Sequence, residues 1–94
     1  MQIFDLKFDW EERTLTTFEY GEKVYNEQVK NIINLDNNPI VFVFPKNILK
    51  VSSSFVQGFF KDVIDKIGYV GFEERIIISS GSEILSKTIR KLIW

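Results

Sequence analysis

Neither cysteine nor histidine occurs anywhere in the 94 residues. Without cysteine there is no disulfide, no thiolate nucleophile and no zinc–sulfur site. Without histidine the chain loses the usual general base near neutral pH and the commonest transition-metal ligand. A Ser-His-Asp triad and a Cys-His pair are both impossible, so a hydrolase would have to run on lysine or carboxylates. Proline occurs twice and glycine five times, and no linker, repeat or low-complexity tract interrupts the chain. Nor is there an excess of one charge. Twelve Lys and Arg against thirteen Asp and Glu leave a net −1, no global field for holding DNA, RNA or an anionic membrane. The opening Met-Gln-Ile-Phe-Asp lacks the basic and apolar regions of a signal peptide. No stretch approaches the ~20 apolar residues that span a bilayer. A soluble, cytoplasmic chain without membrane or nucleic-acid partners is the expectation. The many isoleucines, lysines and asparagines suggest an AT-rich genome, bacterial or phage.

What is present is apolar patterning. A chain of this length forms one domain, burying roughly 60–70% of its unfolded surface. Ile40 to Phe44 is a continuous apolar run bounded by Pro39 and Pro45, short enough for a strand and rich in β-branched and aromatic residues. It reads as a central strand buried on both faces. Ser52-Ser53-Ser54 then leads into Val56, Phe59, Phe60, Val63, Ile64 and Ile67, one apolar stripe at helical spacing. Gly68 stands where a left-handed cap ends a helix.

Residues 3 to 10 alternate, with Phe4, Leu6, Phe8 and Trp10 on one face and Ile3, Asp5, Lys7 and Asp9 on the other. That is a strand with its back to water. Glu11-Glu12-Arg13 is a polar turn, and residues 14 to 18 read as a second strand of an antiparallel hairpin. From about Gly21 the period becomes helical, with Val24, Val29, Ile32 and Ile33 in the stripe and Tyr25 at its edge. Asp36-Asn37-Asn38-Pro39 ends that helix. Tyr69 to Phe72 reads as a connection and Arg75 to Ser79 as another buried strand. Ser80 with Glu83 fits a capping box for a last helix carrying Ile84, Leu85, Ile89, Leu92 and Ile93 inward. The order is β-β-α-β-α-β-α. An α/β fold is expected, a mixed four-stranded sheet with parallel central strands and helices packed on it.

That order, with Val51-Ser-Ser-Ser-Phe55 opening an amphipathic helix and Arg75-Ile-Ile-Ile-Ser-Ser beyond it, resembles the STAS fold (sulfate transporter and anti-sigma factor antagonist). It is similar in particular to small bacterial STAS-like domains of unknown function, over about residues 20 to 93. In anti-sigma factor antagonists the corresponding turn reads Asp-Ser-Ser-Gly, and a partner kinase of the GHKL ATPase type phosphorylates its first serine. The resemblance puts Ser53 at the phosphoacceptor position and Ser54 at the following serine. Ser52 stands where that pattern has Asp, and Phe55 where it has Gly. It implies a protein partner, a kinase-like ATPase or another regulator, binding through the serine turn and the exposed side of the second helix.

Two readings of the turn stand side by side. A serine can simply cap the free amides of the helix, contributing ~1 kcal/mol. Alternatively, one exposed hydroxyl accepts a phosphate, adding about −2 charge to a binding face beside the positive helix end. The candidate partner-binding residues are Ser52, Ser53, Ser54, Phe55, Gln57 and Lys61, with Ser53 the candidate phosphoacceptor. Phe55 lies off the main stripe, an exposed anchor for a partner or a ring folded under; Trp94 reads the same two ways.

Other groupings point less to chemistry. Glu11-Glu12, Glu73-Glu74 and the pair Asp62 and Asp65 could do acid–base work only if desolvated, and their turn, loop or helix-surface positions read as solvated. Lys87, Arg90 and Lys91 could touch phosphates, but three cations on a last helical turn more often serve solubility and the helix dipole, and no aromatic platform lies among them. No catalytic residue, metal site or cofactor is expected. A non-enzymatic regulatory module follows, monomeric or, through an open first strand, homodimeric. The alternative is a stand-alone inhibitor or accessory protein, phage-encoded for example, that acts by occupying a host protein surface.

Overall fold

The computed structural model describes residues 1–36 and 39–93. Its elements are β1 (Gln2–Asp5), β2 (Thr14–Leu15), α1 (Phe18–Gln28), β3 (Ile40–Val43), β4 (Lys50–Val51), α2 (Ser53–Arg75), β5 (Ile76–Ser79) and α3 (Glu83–Lys91). Asn37, Asn38 and Trp94, to which the sequence reading gave a turn and a terminal contact, lie outside the described residues.

The fold is α/β, but the sheet is neither four-stranded nor mixed. β1, β3 and β5 form a parallel sheet in the order β1-β3-β5, and β2 and β4 form a separate parallel pair. The expected hairpin does not exist. β1 runs beside β3, with Gln2 opposite Ile40, and β2 runs beside β4, with Leu15 opposite Val51. The expected first strand ends early, at Asp5, although the Leu6 N–H still donates to the Val43 carbonyl at 3.0 Å. Trp10, placed on the inner face by alternation, is 74% exposed. Alternation tells which side chains share a face while a strand lasts. It tells neither where the strand stops nor which strand it joins.

Register explains the core. Gln2, Ile40 and Ile76 form one row across the sheet and Phe4, Phe42 and Ile78 a second row on the same face. The Phe42 ring stacks on Phe4, centroids 5.4 Å apart, and meets Phe59 and Phe60 of α2 edge-on at 5.4 and 5.3 Å. Each such pair adds ~0.5–1.5 kcal/mol to its area burial. The other face carries Ile3, Val41 and Ile77 in a row, with Ile3 and Ile77 substantially exposed and Val41 and Val43 half-buried. The central strand is therefore closed on one face only, where burial on both had been expected.

Two glutamines tie the first strand and the residues after it to the end of α1 and the segment beyond. The Gln28 side-chain amide both accepts from Lys7 N at 2.8 Å and donates to Lys7 O at 2.7 Å, as a neighbouring strand would. Gln2 makes the same two-way contact with the Asn34 backbone.

The helices start where short polar side chains can cap them. Thr17, expected within a strand, caps α1 instead, its hydroxyl accepting from Tyr20 N at 3.1 Å. The helix therefore begins before Gly21. It ends at Gln28, which leaves Ile32 outside it and exposed. Gly68 does end the first helical piece of α2, as expected, but with φ 73° and ψ 177° in place of a left-handed cap, and a second helical piece follows at once and buries Phe72. The segment Tyr69 to Phe72 is thus helix rather than connection. α3 is capped by Ser82, whose hydroxyl accepts from Leu85 N at 3.1 Å, and not by Ser80. Ser80 instead donates to the Ser82 carbonyl and pairs with the Ser86 hydroxyl, bracing the turn. Only one of the adjacent Ile84 and Leu85 can face inward. It is Leu85, and Ile84 is 79% exposed.

Candidate protein-docking rim

The rim is made by the start of α2. Ser52 is extended, φ −84° and ψ 160°, and its hydroxyl is used twice. Oγ accepts from Phe55 N at 3.3 Å and donates to the Thr16 carbonyl at 2.5 Å, joining the helix start to the chain just after β2. Ser52 is thus half-buried and occupied by structure. Ser53 and Ser54, the first residues of the helix, are exposed. Phe55 is not an anchor for a partner. It is fully buried, stacked on Phe59 at 6.0 Å and meeting Tyr20 edge-on at 5.8 Å. Position i+3 from a cap points to the core side of this helix, and the rings of Phe8 and Tyr20 complete its pocket.

Gln57 and Lys61 follow one and two turns on, both exposed. Lys61 Nζ lies 3.3 Å from Asp65, in a solvated i,i+4 pair worth ~0.3–0.5 kcal/mol. The two side chains line a groove of about 370 Å³ whose apolar surface comes from Phe18, Phe60, Ile64, Tyr69 and Ile93. On the other side of the serines a second groove, about 380 Å³, runs between β4 and α3. Leu49, Ile84, Leu85 and Leu92 supply its apolar wall, and Lys50, Ser52, Ser53, Ser82 and Thr88 its polar groups. Sequence reasoning missed this groove. Its one signal was the doubled Ile84-Leu85, too many apolar residues for a single stripe.

The carboxylate groupings are held by neighbours. Asp62 pairs with Lys66 at 3.2 Å, Asp65 with Lys61, and Glu73 with Arg90 at 3.4 Å. Glu12 accepts from the Tyr20 hydroxyl at 3.0 Å. Burial first, then that bond, pushes the Tyr20 pKa up to about 12. Arg90, read as a solvated cation, is half-buried; it donates to the Ile76 and Glu73 carbonyls and lies 5.5 Å from the Phe72 ring. Among the described residues no group of three His, Cys, Asp or Glu could hold a metal, and no helix is long and apolar enough to cross a membrane.

Comparison of the chain with family models, with curated proteins and with solved structures returned no match.

Proposed function

We propose that the chain is a non-enzymatic, STAS-like regulatory module of the cytoplasm. It binds a protein partner, a kinase-like ATPase or another signalling protein, through the serine turn and the outer face of α2. One observation carries this reading: Ser53, Ser54, Gln57 and Lys61 are exposed on successive turns, while Ser52 and Phe55 of the same turn are used for the cap and the core. The turn thus combines a rigid base with a free polar surface, the usual form of a docking site placed on a regular element. Ser53 is the candidate phosphoacceptor. A phosphate there would meet first-turn amides and the positive end of α2, and would add roughly −1.5 to −2 charge to the face.

Two measurements test the reading. Intact-mass analysis after incubation with a GHKL-type kinase and ATP is expected to show one added phosphate that Ser53→Ala removes. A charge introduced at the rim by Ser54→Arg, or reversed by Lys61→Glu, is expected to lower partner binding about tenfold with an unchanged unfolding midpoint. A partner whose affinity ignores both substitutions docks elsewhere and refutes the rim.

A further inference from the structure

We infer that the groove between β4 and α3 is a docking site for an extended, acidic and apolar segment of the partner protein, an inference that rests on the rim reading above. Its walls hold two large apolar side chains that the fold leaves in water, Leu49 at 67% and Ile84 at 79% exposure. Exposed apolar residues taken singly are ordinary. Two that flank one cleft of about 380 Å³ floored by Leu85 and Leu92 make a surface for apolar anchors.

The shape of the cleft favours an extended occupant. β4 spends the Lys50 N–H on the Arg13 carbonyl and the Ser52 N–H on the Leu15 carbonyl, both on the β2 side. Strand alternation therefore turns the N–H and C=O of Val51, a nearly buried residue that lines the groove, away from β2. A segment lying along that edge gains two main-chain hydrogen bonds and places alternate side chains against Leu49 and Ile84.

Charge selects an acidic segment. No carboxylate lines the groove among the described residues, and its one charged side chain is Lys50, exposed and in no ion pair. Lys46, also exposed, packs its backbone against Gly81 just before the α3 cap. Glu83, the acid at that end, is drawn off by Lys87 at 3.3 Å. The start of α2 adds its positive end at Ser53.

The test is titration of the whole ¹⁵N-labelled chain with two blocked octapeptides, one carrying two leucines and two aspartates, the other with lysines for the aspartates. The aspartate peptide is expected to shift the amides of residues 49–54 and 82–92 and to bind about tenfold more tightly than the lysine peptide. Lys50→Glu is expected to reverse that preference and Ile84→Asp to abolish both complexes. Neither substitution touches a buried group, so the unfolding midpoint stays put. Equal binding of the two peptides, shifts confined to the Ile3 and Ile77 sheet face, or no shifts at all would overturn the inference. A native partner separates it from the rim reading. Binding that falls with Ser54→Arg but ignores Lys50→Glu and Ile84→Asp sinks the groove alone, and binding indifferent to all three sinks both.

Discussion

Gly21 and Gly58 meet at the crossing of α1 and α2, where a Cβ on Gly21 would stand 3.2 Å from the carbonyl carbon of Gly58 and 2.7 Å from Phe59 N. A Cβ on Gly58 would in turn stand 2.9 Å from the Phe18 carbonyl carbon, with the Phe18 oxygen nearer still. The two helices touch backbone to backbone. Beside that contact Tyr25 meets Phe59, ring centroids 5.7 Å apart.

Gly58→Ala sets two effects against each other. Alanine raises helix propensity by ~1 kcal/mol. Its methyl, however, meets backbone that cannot swing aside, and overpacking costs roughly 1–3 kcal/mol. Because that methyl would press directly on the Phe18 backbone, the cost falls at the upper end of that range and the clash is expected to win, with a net loss of about 2 kcal/mol by urea denaturation. A variant more stable than the parent would show that the crossing can open freely.

Gly68 offers a contrast, because a Cβ there would meet nothing within 4 Å. Its φ of 73° and ψ of 177° lie in a region open essentially to glycine alone. Gly68→Ala is therefore expected to cost about 1–3 kcal/mol through backbone strain with no steric contact at all. Equal stability would mean that the kink is not needed to seat Phe72.

The serines should separate by role. Ser52→Ala removes a helix cap and the bond to Thr16, and is expected to cost about 1–2 kcal/mol. Ser53→Ala and Ser54→Ala, at exposed positions, should stay within about 0.5 kcal/mol. Thermal unfolding of the three variants side by side is the measurement. A large loss at Ser53 would assign it a structural role and weaken its candidacy as phosphoacceptor.

Tyr25 predicts a pH dependence. Its hydroxyl is buried beside the Asp62 carboxylate without a well-formed hydrogen bond, and burial first, then Asp62, pushes its pKa from 10.0 up to about 12. The folded pKa lies above the unfolded one, so the stabilisation from the neutral phenol is complete below pH 10 and is lost as pH rises through 12. The stability of the parent relative to Tyr25→Phe should accordingly decline between pH 10 and 12. At neutral pH the phenylalanine variant should be as stable or up to ~1 kcal/mol more so, since it removes a buried hydroxyl that lacks a well-formed hydrogen bond. Parallel stability curves for the two proteins across that alkaline range would contradict this.

Much of the architecture is local and was legible from the chain alone. The run Ile40 to Phe44 holds the strand Ile40–Val43 because its residues fit nothing else at that length, and the stripe from Val56 to Ile67 is a helix because its spacing admits one face. That a serine among Ser52, Ser53 and Ser54 caps it was legible too, and only the structure singles out Ser52. Pairing could not. Gln2 finds Ile40 and Thr14 finds Lys50 across 38 and 36 positions, and hydrophobic alternation carries no mark of a distant partner or of its direction. The functional surface divides along the same line. Exposure of Ser53, Ser54, Gln57 and Lys61 follows from their positions on the helix. Burial of Phe55 depended on Phe8 and Tyr20 arriving from elsewhere, and the Leu49 and Ile84 groove on α3 coming to rest beside β4. Periodicity decides which way a side chain points, and only packing decides what it meets there.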